Sequence, residues 1–256
     1  MDEEGEPLAS TNLTPVVRVG DTVRRVPGPW TPTVRHLLMH LMERGLAGVP
    51  EPLGIDSRGR EITSFIEGET GVYPLPPYMW TAATLEEVAR LIRHLHDATA
   101  DFPLEGDDRW QLPEHEPLEV ICHNDLAPYN VVFRDGHPLG IVDFEMAAPG
   151  SRTWDLAYAA YRFVPLTDPS NPDTPTLPIE IQSQRLALFL DSYRNAPESK
   201  EIVETLAIRL EALIEFTADQ ALKGDRERRE LLKGHLLIYE RDLAYIVENG
   251  GALGSG

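Results

Sequence analysis

Short runs of β-branched residues dominate the first third of the chain. Residues 16–26 contain two such runs around a Gly-Asp pair, which predicts a hairpin. Residues 50–55 and 61–66 predict two further strands. Between them, leucines at helical spacing predict a helix that begins near Thr31, tolerates Pro32 in its first turn and ends at Gly45. The segment therefore predicts a small sheet with one helix.

The spacing of apolar residues changes to a helical period beyond residue 77. Thr84 and Glu87 form a capping-box pattern, and apolar residues recur behind it every three or four positions. Similar patterns predict helices at about 153–163, 179–195, 198–222 and 226–248. The proline-rich stretch 163–178 between two of them suits either a flap beside a substrate or a disordered loop.

These patterns divide the chain into five parts. Acidic residues without periodicity open the chain, Gly and Pro cluster between the sheet and the helices, and small residues close it. The predicted parts are a disordered tail (1–12), an N-terminal lobe (13–66), a linker (67–77), a helical C-terminal lobe (78–250) and a flexible end (251–256).

Polar residues are concentrated at the ends of short strands in residues 122–145, CHNDLAPYNVVFRDGHPLGIVDFE. A strand at 120–122 is followed by a loop that contains Asp125 and ends at Asn130. Strands at 131–133 and 139–142 then form a hairpin, and Asp143 follows it. Because a hairpin returns the chain to its start, we expect Asn130 and Asp143 to lie side by side, with Asp125 one loop away.

This arrangement suits phosphoryl transfer from a nucleoside triphosphate. Such transfer needs divalent ions on the phosphates and a carboxylate that accepts a hydroxyl proton. Mg²⁺ prefers oxygen ligands and takes only one or two carboxylates from a protein. Asn130 and Asp143 can supply that pair, while Asp125 orients the attacking hydroxyl and takes its proton.

The stretch resembles the catalytic core of the aminoglycoside phosphotransferase and choline kinase-like family, relatives of the protein kinases. The matching positions are His123, Asp125, Asn130 and Asp143, and Asp155 follows in PGSRTWDLAY. The resemblance implies an α+β, two-lobed protein kinase-like fold, with a small N-terminal antiparallel sheet and a larger, mainly helical C-terminal lobe. It implies ATP or GTP in the cleft with Mg²⁺. By the same likeness, His123 holds the backbone of the loop and Asp155 braces it.

The N-terminal lobe departs from the kinase pattern. A glycine-rich loop is not evident, and no lysine occurs before Lys200. By resemblance, Arg24 takes the place of the strand lysine and grips the nucleotide phosphates. Arg25, which points to the opposite face of a strand, is the reserve choice. The glutamate expected early in the first helix is missing, since Glu43 comes near its end.

The adenine-binding segment is assigned by element order alone. In that order, the backbone of Ser64, Phe65 and Ile66 would hold the base, although Phe65 and Ile66 also suit the core of the sheet. The single cysteine, Cys122, excludes an internal disulfide and is expected to be a buried hydrophobe. A basic, apolar signal peptide is not evident, and a cytoplasmic location is expected.

The net charge of −19 narrows the range of partners. Such a surface repels phosphate backbones and anionic lipid, which argues against nucleic acid and membranes as partners. The same charge can concentrate a cationic substrate or only maintain solubility, and both interpretations stay open. Two interpretations also stay open for the acidic residues Glu211, Glu215 and Asp219, which lie at helical spacing. They can line a pocket for an amine, or they can form a solvent-exposed face of a helix.

The sequence predicts a small-molecule kinase that uses ATP and Mg²⁺. The acceptor would be a hydroxyl of an aminoglycoside, an amino alcohol, a sugar or a similar metabolite. An alternative is a catalytically weak protein of the same fold that binds nucleotide or a partner. A metal-dependent hydrolase using His123, Asp125 and Asp143 is a third interpretation. The oligomeric state does not follow from the sequence.

Overall fold

The computed structural model of the protein describes residues 5–8 and 16–256. The described residues form two compact units, one of residues up to 71 together with 91–151, and one of residues 72–90 together with 152–256. The first boundary falls inside the predicted linker. The other boundaries lie inside the predicted C-terminal lobe, because residues 91–151 group with the N-terminal sheet.

Among its described residues, the first unit contains ten strands in three antiparallel sheets. The largest sheet has the order β1-β2-β3-β5-β4, a second has the order β6-β8-β9, and β7 pairs with β10. The strands are β1 (Glu6–Pro7), β2 (Val17–Val19), β3 (Thr22–Arg25), β4 (Pro52–Ile55), β5 (Glu61–Ser64), β6 (Glu69–Thr70), β7 (Val120–Cys122), β8 (Val131–Arg134), β9 (His137–Ile141) and β10 (Ala148–Gly150).

Three short strands lie where no strand was predicted. Strand β1 pairs with β2, so the predicted disorder of 1–12 does not hold for Glu6–Pro7, whereas 1–4 and 9–12 lie outside the described residues. Strand β6 pairs with β8, so part of the predicted linker belongs to a sheet. Strand β10 pairs with β7. All three strands were missed because two or three residues carry no periodicity.

Helix α1 (Thr31–Glu43) lies beside the large sheet and begins with proline in its first turn, as predicted. Its apolar stripe is buried, with Leu37 and Leu41 almost fully so. The following loop is tied to strand β9, because the amide of Ile141 donates to the carbonyl oxygen of Gly48 at 2.8 Å. A Cβ on Gly140 would lie 2.1 Å from that oxygen, so this approach of two backbones requires glycine.

The remaining helices are α2 (Ala82–Thr99), α3 (Arg152–Phe163), α4 (Ile179–Tyr193), α5 (Ser199–Lys223) and α6 (Arg226–Leu253). Helix α2 spans the boundary between the units, and α3 to α6 belong to the second unit. The predicted capping box of α2 was placed one turn too late. The amide of Thr84 donates to Oγ1 of Thr81 at 3.2 Å, so Thr81 caps the helix and Thr84 lies inside it.

The proline-rich loop between α3 and α4 is ordered. Asp242 of α6 is fully buried and accepts hydrogen bonds from the amide of Asp168 at 2.8 Å and from Nδ2 of Asn171 at 2.7 Å. The hydroxyl of Tyr161 donates to the same carboxylate at 2.5 Å. These contacts exclude the prediction that the loop is disordered. The other prediction, that the loop forms a flap beside a substrate, stays a prediction.

The last residues are packed, contrary to the predicted flexible end. Helix α6 continues to Leu253, which is fully buried, and Oγ of Ser199 donates to the carbonyl oxygen of Gly256 at 3.1 Å. Cys122 is buried as predicted. Over residues 5–8 and 16–256, none of the helices is both long enough and apolar enough to cross a bilayer.

Candidate active site

The β8–β9 hairpin of the first unit joins the two ends of the polar stretch. The amide of Val142 donates to the carbonyl oxygen of Asn130 at 2.9 Å, so Asp143 follows directly beside Asn130. The loop between β7 and β8 passes the same point and places Asp125 there. The predicted juxtaposition of Asp125, Asn130 and Asp143 is therefore present in the structure.

Asp125 is held by two side chains of its own loop. Nδ2 of Asn130 donates to Oδ2 of Asp125 at 2.9 Å, and the hydroxyl of Tyr129 donates to Oδ1 at 2.7 Å. Tyr129 was missed by the sequence analysis. It lies in the short 3₁₀ turn Pro128–Asn130, which the sequence analysis treated as a loop without regular structure.

His123 holds the backbone, as the family resemblance implied. The ring is 1% exposed, its Nε2 lies 3.0 Å from the carbonyl oxygen of Val142, and its Nδ1 accepts the amide of Asp125 at 3.3 Å. These partners place the proton on Nε2. Because both ring nitrogens are engaged, His123 is not positioned as a metal ligand.

Asp143 has a backbone conformation that is unusual for a residue other than glycine. Its φ is +66°, in the left-handed region, and such conformations concentrate at functional sites. Its Oδ1 accepts Nη1 of Arg25 at 2.9 Å. The same Nη1 lies 3.4 Å from Oε1 of Glu145, and Nε of Arg25 donates to Oε2 of Glu61 at 3.0 Å.

The two strand arginines contact different carboxylates. Arg25 reaches Asp143, whereas Nε of Arg24 lies 3.8 Å from Oδ2 of Asp56. The two side chains diverge because successive residues of a strand point to opposite faces of the sheet. Arg25, the reserve choice of the sequence analysis, and not Arg24, is therefore the strand arginine beside Asp143.

One guanidinium group faces three carboxylates at this site. Burial alone lowers the pKa of Arg25, but Asp143, Glu145 and Glu61 outweigh burial, and the pKa is raised. Burial raises the pKa of Glu145, and Asp143 and Glu61 add to that effect although Arg25 opposes it. With all these groups ionised, the cluster carries a surplus of negative charge, which favours a bound cation.

The residues present fit a divalent cation that is shared with phosphates. Asp143 offers a carboxylate, and Asn130 uses Nδ2 on Asp125, which leaves its amide oxygen for a metal ion. In the part of the chain that the structure describes, no group of three or more His, Cys, Asp or Glu residues could hold a metal ion by itself.

The predicted adenine-binding segment is partly engaged within the sheet. The amide of Ser64 donates to the carbonyl oxygen of Glu51, and that of Phe65 donates to Asp21, both at 2.9 Å. The amides of Ser64 and Phe65 are therefore already used within the sheet, and the binding of a base by this segment stays a prediction. The ring of Phe65 stacks beneath the guanidinium of Arg18, 3.7 Å from its centroid.

Asp155 and the acidic positions of α5 belong to the second unit. Asp155 lies in the first turn of α3 and is fully buried, and its role as a brace for the catalytic loop stays a prediction. Glu211, Glu215 and Asp219 are all exposed, as expected of a solvated helix face.

Comparison with known proteins identifies a matching family and one relative of similar sequence. Residues 108–175 match the profile of the Phosphotransferase enzyme family, APH, and this range contains the whole catalytic loop and Asp143. The trifolitoxin immunity protein of Rhizobium leguminosarum bv. trifolii is 37% identical over 193 residues, which are 73% of this chain and 72% of that protein.

Solved structures share the fold at low sequence identity. A choline/ethanolamine kinase family protein from Mesorhizobium loti is 18% identical with a TM-score of 0.65, over 100% of this chain and 94% of that chain. The amicoumacin kinase hAmiN, in complex with AMP-PNP, Ca²⁺ and Ami, is 12% identical with a TM-score of 0.67, over 95% and 89% of the two chains. The α+β kinase-like fold predicted from the sequence is therefore confirmed.

The matched family profile, the shared fold and the 37% identity to the trifolitoxin immunity protein together show to which family the chain belongs. The chain belongs to the APH phosphotransferase enzyme family, the family of small-molecule kinases that its catalytic motif resembles.

Proposed function

We propose that the protein is an ATP- and Mg²⁺-dependent phosphotransferase that moves the γ-phosphoryl group of ATP to a hydroxyl of a small molecule. The observation that carries this proposal is the contact network of the first unit, in which Asp125 is bonded to Asn130 and Asn130 lies beside Asp143. A carboxylate next to two oxygen ligands is what phosphoryl transfer requires.

Each residue of this network has a distinct role in the proposed reaction. Asp125 orients the acceptor hydroxyl and takes its proton while the oxygen bonds to the γ-phosphorus and the bond to the β–γ bridging oxygen breaks. Asn130 and Asp143 would hold Mg²⁺, which supplies charge neutralisation on the phosphates when bound. Arg25 uses Nε and Nη1 on carboxylates, and its Nη2 has no hydrogen-bond partner among the described residues, which leaves that donor for a phosphate oxygen.

The proposal is tested by ATP consumption with Mg²⁺ over a panel of aminoglycosides, macrolides, amino alcohols and sugars. With the acceptor found, Asp125→Ala should lower kcat by about 10²–10⁴-fold, the usual contribution of a positioned acid–base group. Mg·ATP affinity, measured by calorimetry, should stay within about twofold of wild type. Full turnover of this variant would remove Asp125 from the mechanism.

The curated relative adds a class of acceptor to that panel. Because that protein is named for immunity to a toxin, we propose that this chain phosphorylates a toxic compound with a hydroxyl group and thereby protects the cell. Expression in a sensitive host should then raise the tolerated dose of such a compound. Protection that persists in Asp125→Ala would show that sequestration, and not phosphorylation, provides it.

A kinase-like binding protein is the alternative function. It is favoured by the ion pair between Arg25 and Asp143, which occupies a carboxylate that the metal needs, and by the absent strand lysine. Nucleotide turnover separates the two functions, because a binding protein would retain nucleotide or toxin affinity without releasing ADP. Replacing ATP by GTP in the same assay decides the nucleotide, and we propose a cytoplasmic location because ATP is supplied there.

A further inference from the structure

Glu61 is a buried acid that no step of the proposed reaction uses. It lies on β5 directly across from Arg25 on β3 and is 1% exposed. Its Oε2 accepts Nε of Arg25, while its Oε1 is buried and has no hydrogen-bond partner among the described residues. A buried carboxylate with one oxygen unsatisfied is costly, and its presence in a native site requires an explanation.

We propose that Glu61 is a positioning residue that sets the orientation of Arg25 for the nucleotide phosphates. It thereby takes over the role of the helix glutamate of protein kinases, which this chain lacks in the first turn of α1. The inference rests on the proposed phosphotransferase function. Glu43, the glutamate of that helix, lies in its last turn and is exposed.

The geometry explains how one carboxylate can orient the whole side chain. A bond from Nε to Glu61 fixes the plane of the guanidinium and directs Nη1 to Asp143, 2.9 Å away. Arginine without such an anchor samples many rotamers, and ordering them costs free energy when the nucleotide binds. An anchor on the neighbouring strand is more rigid than one on a separate helix, because the β3–β5 ladder sets the distance.

Glu61 also controls how strongly Arg25 competes with a metal ion. The guanidinium of Arg25 forms ion pairs with Glu61 through Nε, and with Asp143 and Glu145 through Nη1. If the charge of Glu61 is removed, the guanidinium of Arg25 pairs only with Asp143 and Glu145. The ion pair between Arg25 and Asp143 is then stronger than in the wild type, and a cation that binds Asp143 must displace it.

The test is calorimetric titration of the full chain with AMP-PNP at several MgCl₂ concentrations. Glu61→Gln keeps the shape of the side chain and should raise the Kd by about tenfold, which corresponds to about 1.4 kcal/mol. It should also raise the Mg²⁺ concentration needed for half-maximal binding. Glu43→Gln is the matched control and should change neither value.

A double-mutant cycle separates positioning from general destabilisation. If Glu61 acts through Arg25, then Glu61→Gln should have no further effect on the Kd in an Arg25→Gln background. Additive effects, or a lower thermal midpoint with unchanged Kd and Mg²⁺ dependence, would overturn the inference while the proposed function stands. If the wild type does not bind Mg·AMP-PNP, the proposed function fails and this inference fails with it.

Discussion

At the scale of single residues, the hydroxyl of Tyr129 is a contact that the motif alone did not indicate. It donates to Oδ1 of Asp125 at 2.7 Å, on the side opposite to Asn130. Tyr129→Phe removes one of these two bonds and lets the carboxylate rotate. We expect kcat to fall by about tenfold with KM for ATP unchanged, since one hydrogen bond to a charged group contributes about 1.5–3 kcal/mol.

Steady-state kinetics with the acceptor found in the panel would measure this effect. A variant with unchanged kcat would show that Asn130 alone positions Asp125.

The two strand arginines offer a second comparison of single residues. Arg25→Lys keeps the positive charge, but the lysine cannot hydrogen-bond to Glu61 and Asp143 at the same time, because an ammonium lacks the two separated donors Nε and Nη1. We therefore expect KM for Mg·ATP to rise by about tenfold in Arg25→Lys and to stay within about twofold in Arg24→Lys. The reverse pattern in initial-rate measurements would return the phosphate-binding role to Arg24.

The motif residues could be predicted from sequence, whereas the cluster around Arg25 could not. Asn130 and Asp143 flank the β8–β9 hairpin, and His123 and Asp125 lie in the loop directly before it, so local spacing determines their proximity. Arg25 and Glu61 meet Asp143 only through the packing of separate sheets. Whether Arg24 or Arg25 faces that site depends on the pairing register of β3 with β5, which periodicity does not determine in a strand of four residues.

At the scale of elements, most helices and strands could be predicted because each buries one regular face. The exceptions were the short strands β1, β6 and β10 and the start of α2, where Thr81 caps the helix in place of Thr84. Such features depend on partners distant in the sequence or on one hydrogen bond. The packed end at Leu253 likewise depends on the second unit, not on its own composition.

The contact between Gly48 and Gly140 gives a prediction for these elements. Gly140→Ala would bring a Cβ to 2.1 Å from the carbonyl oxygen of Gly48, so the loop after α1 must move away from β9. We expect the free energy of unfolding to fall by about 1–3 kcal/mol, the usual cost of overpacking. Urea denaturation followed by circular dichroism would measure it.

The matched control is a glycine in a helix with open space around it. A Cβ on Gly234 of α6 meets no atom within 4 Å. Gly234→Ala should therefore stabilise the protein by about 0.4–1 kcal/mol, because alanine restricts the unfolded chain. Equal effects of the two substitutions would mean that the backbone contact of Gly140 does not limit the packing of β9.

At the scale of the whole molecule, charge opposes folding. The chain has 42 acidic and 23 basic side chains, so its net charge is −19 and its carboxylates repel one another in the compact state. Exposed ion pairs compensate little for this repulsion. Asp219 and Lys223, for example, form such a pair at 2.5 Å with side chains 50% and 67% exposed, and pairs of this kind contribute at most about 1 kcal/mol.

Salt should therefore stabilise this protein. At about 0.1 M salt the screening length is about 10 Å, so repulsion between distant carboxylates is reduced, while the buried contacts of Arg25 are screened much less. Raising NaCl from about 20 mM to about 300 mM should raise Tm by roughly 2–4 °C, the shift expected for about 1 kcal/mol in a chain of this size. Scanning calorimetry would measure it, with sucrose at equal osmolarity as the control for solvent exclusion. A Tm that falls with NaCl would mean that attraction within ion pairs exceeds the self-repulsion of the carboxylates, and that net charge is not what limits the stability of this fold.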